Sequence, residues 1–289
     1  MHEVTRDQLV AALKVLGLEP GDGLLVHSAV QFLGRPVGGV GIYLDALSKV
    51  TKCELGVSND KLGIAAESSY PAVPDSQPST FDLQPTTGTI AVPTFNFVFA
   101  HGEPYDPHST PSQGMGAFSE HVRQLPQARR TAHPMQSLAV IGSYANDLAG
   151  RDTPSAFDPG SAFERLLELD FKLLLLGADV QAVSMVHYSE QRLGVPYRYW
   201  KDFTGQVKTP DGGWQTRTYR MFVRDLEIDP QLDLSPIQGL LQQRGQWQCV
   251  SVNYGQVASC RLSDFVHATD DILAKDLWAL VGSRSQVEG

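Results

Sequence analysis

The stretch that most constrains the fold is residues 172–194, KLLLLGADVQAVSMVHYSEQRLG. Four consecutive leucines closed by Gly177 indicate a strand buried on both faces, as in a parallel sheet. A short polar turn follows, and we expect a helix that begins near Ser184, a good N-cap residue, and ends at Gly194. A strand that leads through a turn into a helix is the repeating unit of α/β proteins. The stretch therefore predicts an α/β fold.

Two polar residues of the predicted helix indicate chemistry. His187 and Glu190 are three positions apart, so they lie on one helix face and their side chains can meet. An imidazole supported by a carboxylate, just beyond the carboxyl end of a strand, is a candidate general base. A partly buried histidine beside a solvated glutamate would have the same spacing, so the pair alone leaves both interpretations open.

Composition places the chain among soluble globular proteins. Its 289 residues are 42% apolar and 19% charged, enough for a sizeable core. No apolar run approaches the roughly 18 residues of a membrane helix, and the amphipathic N-terminus has no signal-peptide pattern. Three scattered cysteines, Cys53, Cys249 and Cys260, suit a reducing compartment, so we expect a cytoplasmic protein. The net charge of −9 argues against nucleic acid as a partner.

The order of the predicted elements indicates the architecture. Short apolar strands alternate with helices up to Gly194, and the strands are expected at 24–26, 89–93, 138–141 and 172–176. After Gly194 the pattern changes to two predicted hairpins, 203–207 with 213–223 and 249–252 with 257–261, followed by a helix over 265–281. We predict a three-layer α/β/α fold with a mostly parallel central sheet and an antiparallel C-terminal part. It should form a single domain over residues 1–289, with a polar, proline-rich insertion at about 58–87.

Polar groups follow or flank the predicted strands, where ligands of open α/β sheets bind. They are His27, Ser28, Thr94, Arg130, Thr131, His133, Ser137, His187 and Glu190. The chain has no Gly-x-Gly-x-x-Gly, Walker or Gly-x-Ser-x-Gly motif, which argues against a Rossmann cofactor, a P-loop nucleotide and the usual serine hydrolase. A metal-dependent hydrolase built on the histidines stays an alternative, but their spacing matches no established zinc signature, and we predict no metal site.

Five segments, taken together, carry a resemblance to a known family. They are LLVHS at 24–28, GTIAVPTF at 88–95, TPS at 110–112 with GAFSE at 116–120, RTAHP at 130–134 with Ser137, and KLLLLG at 172–177 leading to His187 and Glu190. In this order, over about residues 5–205, they resemble the aminoglycoside 3-N-acetyltransferases of the antibiotic N-acetyltransferase superfamily. Three features depart from the family pattern: Thr131 where serine is usual, Ser184 where threonine is usual, and the insertion.

The resemblance implies an α/β/α acyltransferase that uses acetyl-CoA (coenzyme A) to acetylate a primary amine of an amino sugar or aminoglycoside. By matched position, His187 is the catalytic residue and Glu190 its carboxylate partner. The residues that the resemblance places around the cofactor are His27, Ser28, Ala29, Thr94, Arg130, Thr131, His133 and Ser137. Such a protein acts on a small-molecule amine and can confer antibiotic resistance. A homodimer and a non-catalytic ligand-binding relative stay open.

The acceptor is less constrained than the chemistry. His101, Glu103 and Asp106 lie in a loop that would suit a cationic acceptor. Tyr197 and Arg198, with the neighbouring Lys201, favour instead a phosphate of CoA or of a nucleotide-linked sugar. The alternative function is therefore an N-acyltransferase for a nucleotide-linked amino sugar in surface-glycan or secondary-metabolite biosynthesis. Both groups of residues would have the same composition if they were only solvated charges on the surface.

The expected mechanism is direct transfer. An alkyl ammonium has a pKa near ~10, so the amine must lose a proton to attack a thioester at neutral pH. His187 is the expected base, with Glu190 holding its tautomer. Backbone N–H groups after Val26, or the Ser137 hydroxyl, are the expected donors to the developing oxyanion.

Overall fold

The computed structural model describes residues 2–55 and 86–282, so the predicted insertion at about 58–87 lies almost entirely outside the described residues. The strands are β1 (Glu3–Val4), β2 (Gly23–Ser28), β3 (Arg35–Pro36), β4 (Thr89–Pro93), β5 (Arg129–Arg130), β6 (Leu138–Gly142), β7 (Lys172–Leu176), β8 (Arg198–Lys208), β9 (Trp214–Arg224), β10 (Gln248–Val252) and β11 (Gly255–Arg261). The helices are α1 (Arg6–Val15), α2 (Gly41–Thr51), α3 (Gly116–Arg123), α4 (Ala145–Ala149), α5 (Ala162–Glu168), α6 (Val186–Leu193), α7 (Ser235–Gln243) and α8 (Leu262–Leu273). Short 3-10 turns span Val30–Leu33, Phe99–His101 and Val180–Ala182.

A seven-stranded sheet in the order β10-β11-β7-β2-β4-β6-β5 forms the middle of the fold. Its centre is parallel, because β2 pairs in parallel with both β4 and β7. The flanking strands are antiparallel, β6 and β5 on one side and β11 and β10 on the other. The α/β prediction is confirmed, but antiparallel pairing is not confined to the C-terminal part. The backbone N–H of Thr131 donates to Leu138, and Leu138 donates to the Thr131 hydroxyl, so the chain turns back between β5 and β6.

The leucines of β7 explain why the sheet is covered on both faces. Leu173 and Leu175 belong to a core formed with α5, α6, α7 and α8. Leu174 and Leu176 point the other way, into a core formed with α1, α2 and α3. All four are at most 1% exposed. The alternation of strand side chains therefore divides one apolar run between two cores, which gives the three layers.

A long hairpin stands apart from the central sheet. Strands β8 and β9 pair over 11 residues each, from Arg198 opposite Arg224 to Lys208 opposite Trp214. The hairpin packs on the rest of the chain through a small separate core whose buried members are Phe99, Tyr105, Met135, Val207 and Tyr219. Both predicted C-terminal hairpins are confirmed. The last helix, α8, ends at Leu273, well before the predicted residue 281.

His27 joins the end of β2 to the start of α6. Its Nε2 accepts a hydrogen bond from the backbone N–H of Ser184 (3.1 Å) and lies 3.0 Å from the Ser184 hydroxyl oxygen. Burial lowers the pKa of His27 to about 3, so the ring stays neutral and can accept this bond. Two residues 157 positions apart are held together in this way, and α6 starts at a defined place above the sheet.

Replacing Leu174 by alanine should lower the free energy of unfolding by roughly 2–5 kcal/mol, because the site is fully buried and a cavity would be left. The matched control is Val15→Ala at a side chain that is 71% exposed, where a change within about 0.5 kcal/mol is expected. Urea unfolding measures both. Equal losses in the two variants would contradict the two-core arrangement.

Acid should destabilise the fold through its buried histidines. Burial lowers the pKa of His27 to about 3 and that of His133 to about 4, from an ordinary value of 6.5. Below pH 6.5 the unfolded chain therefore binds protons that the folded chain does not. The free energy of unfolding should fall by roughly 1.4 kcal/mol per pH unit for each of the two histidines as the pH drops towards 4.

The acid slope can be assigned by substitution. His27→Asn should flatten it between pH 6.5 and 4, and His133→Asn should do the same, whereas Val15→Ala at an exposed position without a titratable group should not. Urea titrations at several pH values give the slope. A slope that both buried-site variants leave unchanged would assign the acid sensitivity to other groups.

Candidate active site

The His187–Glu190 pair forms as the helix spacing predicts. His187 Nδ1 lies 2.5 Å from Glu190 Oε2, and both residues are on α6. The Glu190 side chain is fully buried, whereas the His187 side chain is 29% exposed. The second ring nitrogen, Nε2, has no hydrogen-bond partner among the described residues. The imidazole is therefore held at one nitrogen and available at the other.

A second cation supports the buried carboxylate. The Arg198 Nε, at the start of β8, lies 2.9 Å from the same Glu190 oxygen as an ion pair. Burial alone would raise the pKa of Glu190, but His187 and Arg198 outweigh it and hold the pKa below its usual value. The carboxylate therefore stays ionised between two positively polarised groups.

Tyr197 lies behind the same carboxylate. The residue is fully buried, with its ring against Trp278 at a centroid distance of 5.4 Å. Burial, and then the neighbouring Glu190 carboxylate, raise the pKa of its hydroxyl well above the usual range. The side chain of Tyr197, a predicted substrate contact, is thus placed under the site, whereas Arg198 reaches it.

A cavity of about 380 Å³ opens onto His187 and is called the His187 cavity below. Its walls come from the loop after β4, residues near 157, α6 and the β8–β9 hairpin. The residues that line it are Phe95, Phe97, Ala100, Gln136, Phe157, His187, Gln191, Arg198, Tyr199, Lys201, Phe203, Met221, Phe222, Val223, Arg224 and Leu226. The Phe157 ring lies edge-on to the imidazole, with centroids 6.1 Å apart. Aromatic groups therefore surround the available nitrogen.

Arg130, Thr94 and Ser137 form a buried clamp beside this cavity. The Arg130 Nε donates to the Ser137 hydroxyl (2.9 Å), and its Nη2 donates to the Thr94 carbonyl (2.5 Å). The Ser137 hydroxyl donates to the same carbonyl at 3.0 Å. The polar groups of this clamp are thus occupied by one another. The Ser137 proton, an expected oxyanion donor, already has an acceptor.

Thr131 and His133 shape the turn between β5 and β6. The Thr131 hydroxyl accepts from the backbone of Leu138 at 2.8 Å, and His133 Nδ1 accepts from the backbone of Gln136 at 3.1 Å. Both side chains are buried. The turn places Gln136 on the wall of the His187 cavity.

A second cavity, of about 590 Å³, lies where β2 and β7 end and β11 begins, and is called the strand-end cavity. Ser28, Ala29 and Gly177 are among its lining residues. The Ser28 hydroxyl is buried and has no hydrogen-bond partner. Gly177 has φ +74°, and a Cβ there would lie 2.6 Å from the Ala29 carbonyl oxygen. At Ser28, Ala29 and Gly177 the wall of this cavity therefore consists of close-packed backbone beside one unpaired hydroxyl.

The acidic loop is placed elsewhere. His101 and Glu103 are exposed, and Asp106 lines a different cavity on the side of the hairpin tip. The Asp106 carboxylate is 2.9 Å from Lys208. Partial burial alone would raise the pKa of Asp106. Hydrogen bonds from Lys208 and from the loop backbone outweigh this effect and lower the pKa to about 2. None of these acids lines the His187 cavity.

Several lining residues were not predicted from the sequence. Gln136 lies within the 130–137 motif but is not one of its quoted residues, and Phe157 and Arg224 have no motif around them. The three reach the cavity from the β5–β6 turn, a loop and β9. The alternating pattern of β9 predicts that its side chains point to two opposite faces, but it does not predict which face meets the site. The way the hairpin docks on the rest of the chain determines which face lines the cavity.

Two further structural facts concern metals and membranes. Among the described residues, no group of three or more His, Cys, Asp or Glu side chains comes together as metal ligands would. Within residues 2–55 and 86–282, no helix is both long and apolar enough to cross a bilayer.

Known proteins with similar sequences can now be compared with this geometry. A model of the aminoglycoside 3-N-acetyltransferase family matches residues 69–274. The aminoglycoside N(3)-acetyltransferase III of Salmonella sp. is 28% identical over 243 residues, 83% of this chain and 76% of the relative. The aminoglycoside N(3)-acetyltransferase VIII of Streptomyces fradiae is 29% identical over 227 residues, 78% of this chain and 72% of the relative.

A solved structure shows the same fold. AAC-IIIb, in its binary complex with CoASH, superimposes with a TM-score of 0.73 over 98% of this chain and 100% of that chain, at 21% identity. The family model covers most of the chain, including β4 to α8 and the His187–Glu190 pair. The chain therefore belongs to the aminoglycoside 3-N-acetyltransferase family and is an acyltransferase.

Proposed function

We propose that this protein transfers the acetyl group of acetyl-CoA to a primary amine of an amino sugar or aminoglycoside, with His187 as the general base. The observation that carries the proposal is the imidazole itself: Nδ1 is held by a buried carboxylate, and Nε2 is available at a cavity wall. This is the arrangement that removes a proton from a bound nucleophile. Family membership supports the reaction class, and the relatives are named for acetyl transfer to aminoglycosides.

The carboxylate and the guanidinium have separate tasks in the proton transfer. Glu190 fixes the tautomer that keeps Nε2 unprotonated and then stabilises the imidazolium that forms. Arg198 keeps the buried Glu190 ionised, so that a carboxylate is present when the imidazole becomes charged. Arg198 is in this sense a positioning residue.

We assign acetyl-CoA to the strand-end cavity. The solved neighbour AAC-IIIb is a complex with CoASH, and the family resemblance implies that Ser28 and Ala29, which line this cavity, lie beside the pantetheine and thioester. When bound, the cofactor supplies an acetyl group already activated as a thioester. The Ser28 hydroxyl, which is buried and has no partner within the protein, is a candidate hydrogen-bond donor to it. Ser28 replaces Ser137 as the candidate donor, because the Ser137 proton is already bonded.

Direct transfer agrees with the state of the cysteines. Burial raises the pKa of the Cys53 and Cys260 thiols to about 12 each, so neither is a thiolate at neutral pH. No cysteine lines the His187 cavity. An acyl-cysteine intermediate therefore has no supporting group, and the amine attacks the thioester itself.

His187→Ala should lower kcat by about 10²- to 10⁴-fold, because the base for the amine proton is lost. Release of the CoA thiol in the presence of an amino-sugar or aminoglycoside acceptor measures it. His267→Ala, on the exposed side of α8, is the matched control and should retain the wild-type rate. Near wild-type turnover in His187→Ala would remove His187 from its role.

Glu190→Gln should lower kcat by less than His187→Ala, since the imidazole remains but loses its charged partner. The same substitution leaves Arg198 beside a neutral amide in a buried place, so the free energy of unfolding should also fall, by roughly 3–5 kcal/mol. Turnover and urea unfolding are measured on the same preparation. A kcat loss as large as that of His187→Ala in a fully stable variant would contradict a supporting role.

A further inference from the structure

We infer that the acceptor carries an anionic group, a phosphate, close to its reacting amine, so that the His187 cavity selects a phosphorylated or nucleotide-linked amino sugar over a polycationic aminoglycoside. The inference rests on the proposed function and names the substrate class of the same site. It follows from the charges, the aromatic walls and the location of the acids.

The charge of the cavity is opposite to that of the protein. The chain has 32 acidic and 23 basic residues, yet the described residues that line the His187 cavity include Arg198, Lys201 and Arg224 and no aspartate or glutamate. Glu190 and Asp229 offset the charges of Arg198 and Arg224, so the net positive charge of this wall comes from Lys201. A positive wall attracts an anion and disfavours an acceptor with several ammonium groups.

Lys201 is the cation best placed to bind the anion. The other two are already paired: Arg198 with Glu190 at 2.9 Å, and Arg224 with Asp229 at 3.4 Å. No carboxylate of the described residues lies within ion-pair distance of Lys201, whose ammonium sits 5.3 Å from the centre of the Phe203 ring. An unpaired ammonium on a cavity wall is a ready phosphate ligand.

The hairpin presents Lys201 between rings. Tyr199, Lys201 and Phe203 alternate along β8, so they share one face, and all three line the cavity. Tyr199 is 47% exposed, and Phe97, on the opposite side, is 37% exposed. Exposed rings around a cavity suit the face of a sugar or a base. The cavity thus offers a ring-binding wall, a phosphate ligand and a proton acceptor, Nε2 of His187.

Asp106, which the sequence offered as a contact for a cationic acceptor, does not line this cavity. Asp106 is paired with Lys208 and lines a separate cavity. Glu190 is fully buried and already has two partners, the His187 imidazole and the Arg198 guanidinium. CoA also carries phosphates, so the experiment must tell an anion on the acceptor from an anion on the donor.

The first arm compares acceptors that differ only in phosphate. Acetyl transfer is followed by CoA thiol release with glucosamine against glucosamine 6-phosphate, ethanolamine against phosphoethanolamine, and kanamycin as the polycation. In at least one pair, kcat/KM for the phosphorylated amine should exceed that of its parent by tenfold or more, and should exceed that of kanamycin. Added salt should reduce this preference.

The second arm uses charge variants. Lys201→Glu should lower kcat/KM for the preferred phosphorylated amine at least tenfold, and Lys201→Gln should lower it less. The KM for acetyl-CoA should change by less than twofold in both. The control is Lys275→Glu, an equal charge change at an exposed position beyond α8, which should leave the preference unchanged.

The third arm measures binding without turnover. Calorimetric titration should give a tighter Kd for glucosamine 6-phosphate than for glucosamine on the wild type, and Lys201→Glu should abolish the difference. This measurement tests the preference for phosphate even if no acceptor is turned over. Absence of turnover would contradict the proposed function but not the preference for an anionic acceptor.

Three results would overturn the inference. The first is that kanamycin has the highest kcat/KM. The second is that neither phosphorylated amine exceeds its parent amine in turnover or in binding. The third is that Lys201→Glu raises the KM for acetyl-CoA and leaves the kcat/KM for the acceptor unchanged. The last result would assign the cation to a phosphate of the donor. In each case acetyl transfer by His187 would still stand.

Discussion

The buried carboxylate of Glu190 is the group on which the arrangement of the site depends. A carboxylate without solvent is several kcal/mol less stable than in water unless opposite charges and hydrogen bonds compensate it. Here one oxygen is shared by the His187 imidazole of α6 and the Arg198 guanidinium of β8. The same atom therefore fixes the imidazole and joins α6 to the hairpin that forms the cavity wall. Removing either partner would affect both the proposed base and the wall.

Other polar groups near the strand ends hold the framework around this carboxylate. His27 bonds to Ser184 and fixes where α6 begins, and Arg130 ties the end of β4 to the start of β6. Their hydrogen bonds lie within the protein, and their side chains are mostly buried. A ligand at these strand ends therefore meets surfaces that these residues position, chiefly backbone and a few available groups such as the Ser28 hydroxyl. Preorganisation of this kind lowers the reorganisation that proton transfer requires.

Local patterns were sufficient for some features and insufficient for others. The leucines of β7 and the spacing of His187 and Glu190 depend on neighbours within one strand or one helical turn, so their periodicity predicted the buried strand and the pair. The antiparallel β6 depends on a turn at Thr131, and the pairing of Arg198 with Glu190 depends on where a separate hairpin docks. Neither the turn at Thr131 nor the docking of the hairpin can be read from a pattern of neighbouring residues in the sequence. The order of five short motifs, rather than any one of them, indicated the family.

The fold places the proposed base and the wall proposed to select the acceptor on different elements. His187 and Glu190 lie on a helix that packs into one of the two large cores, whereas most of the charged wall of the His187 cavity lies on a hairpin with a small core of its own. Exposed positions of that hairpin, such as Tyr199 and Lys201, can change with little effect on the two cores. Only Arg198 belongs to both parts. A family with a common reaction can therefore vary its acceptor by altering the hairpin face, as long as the residue at the start of β8 still neutralises the carboxylate.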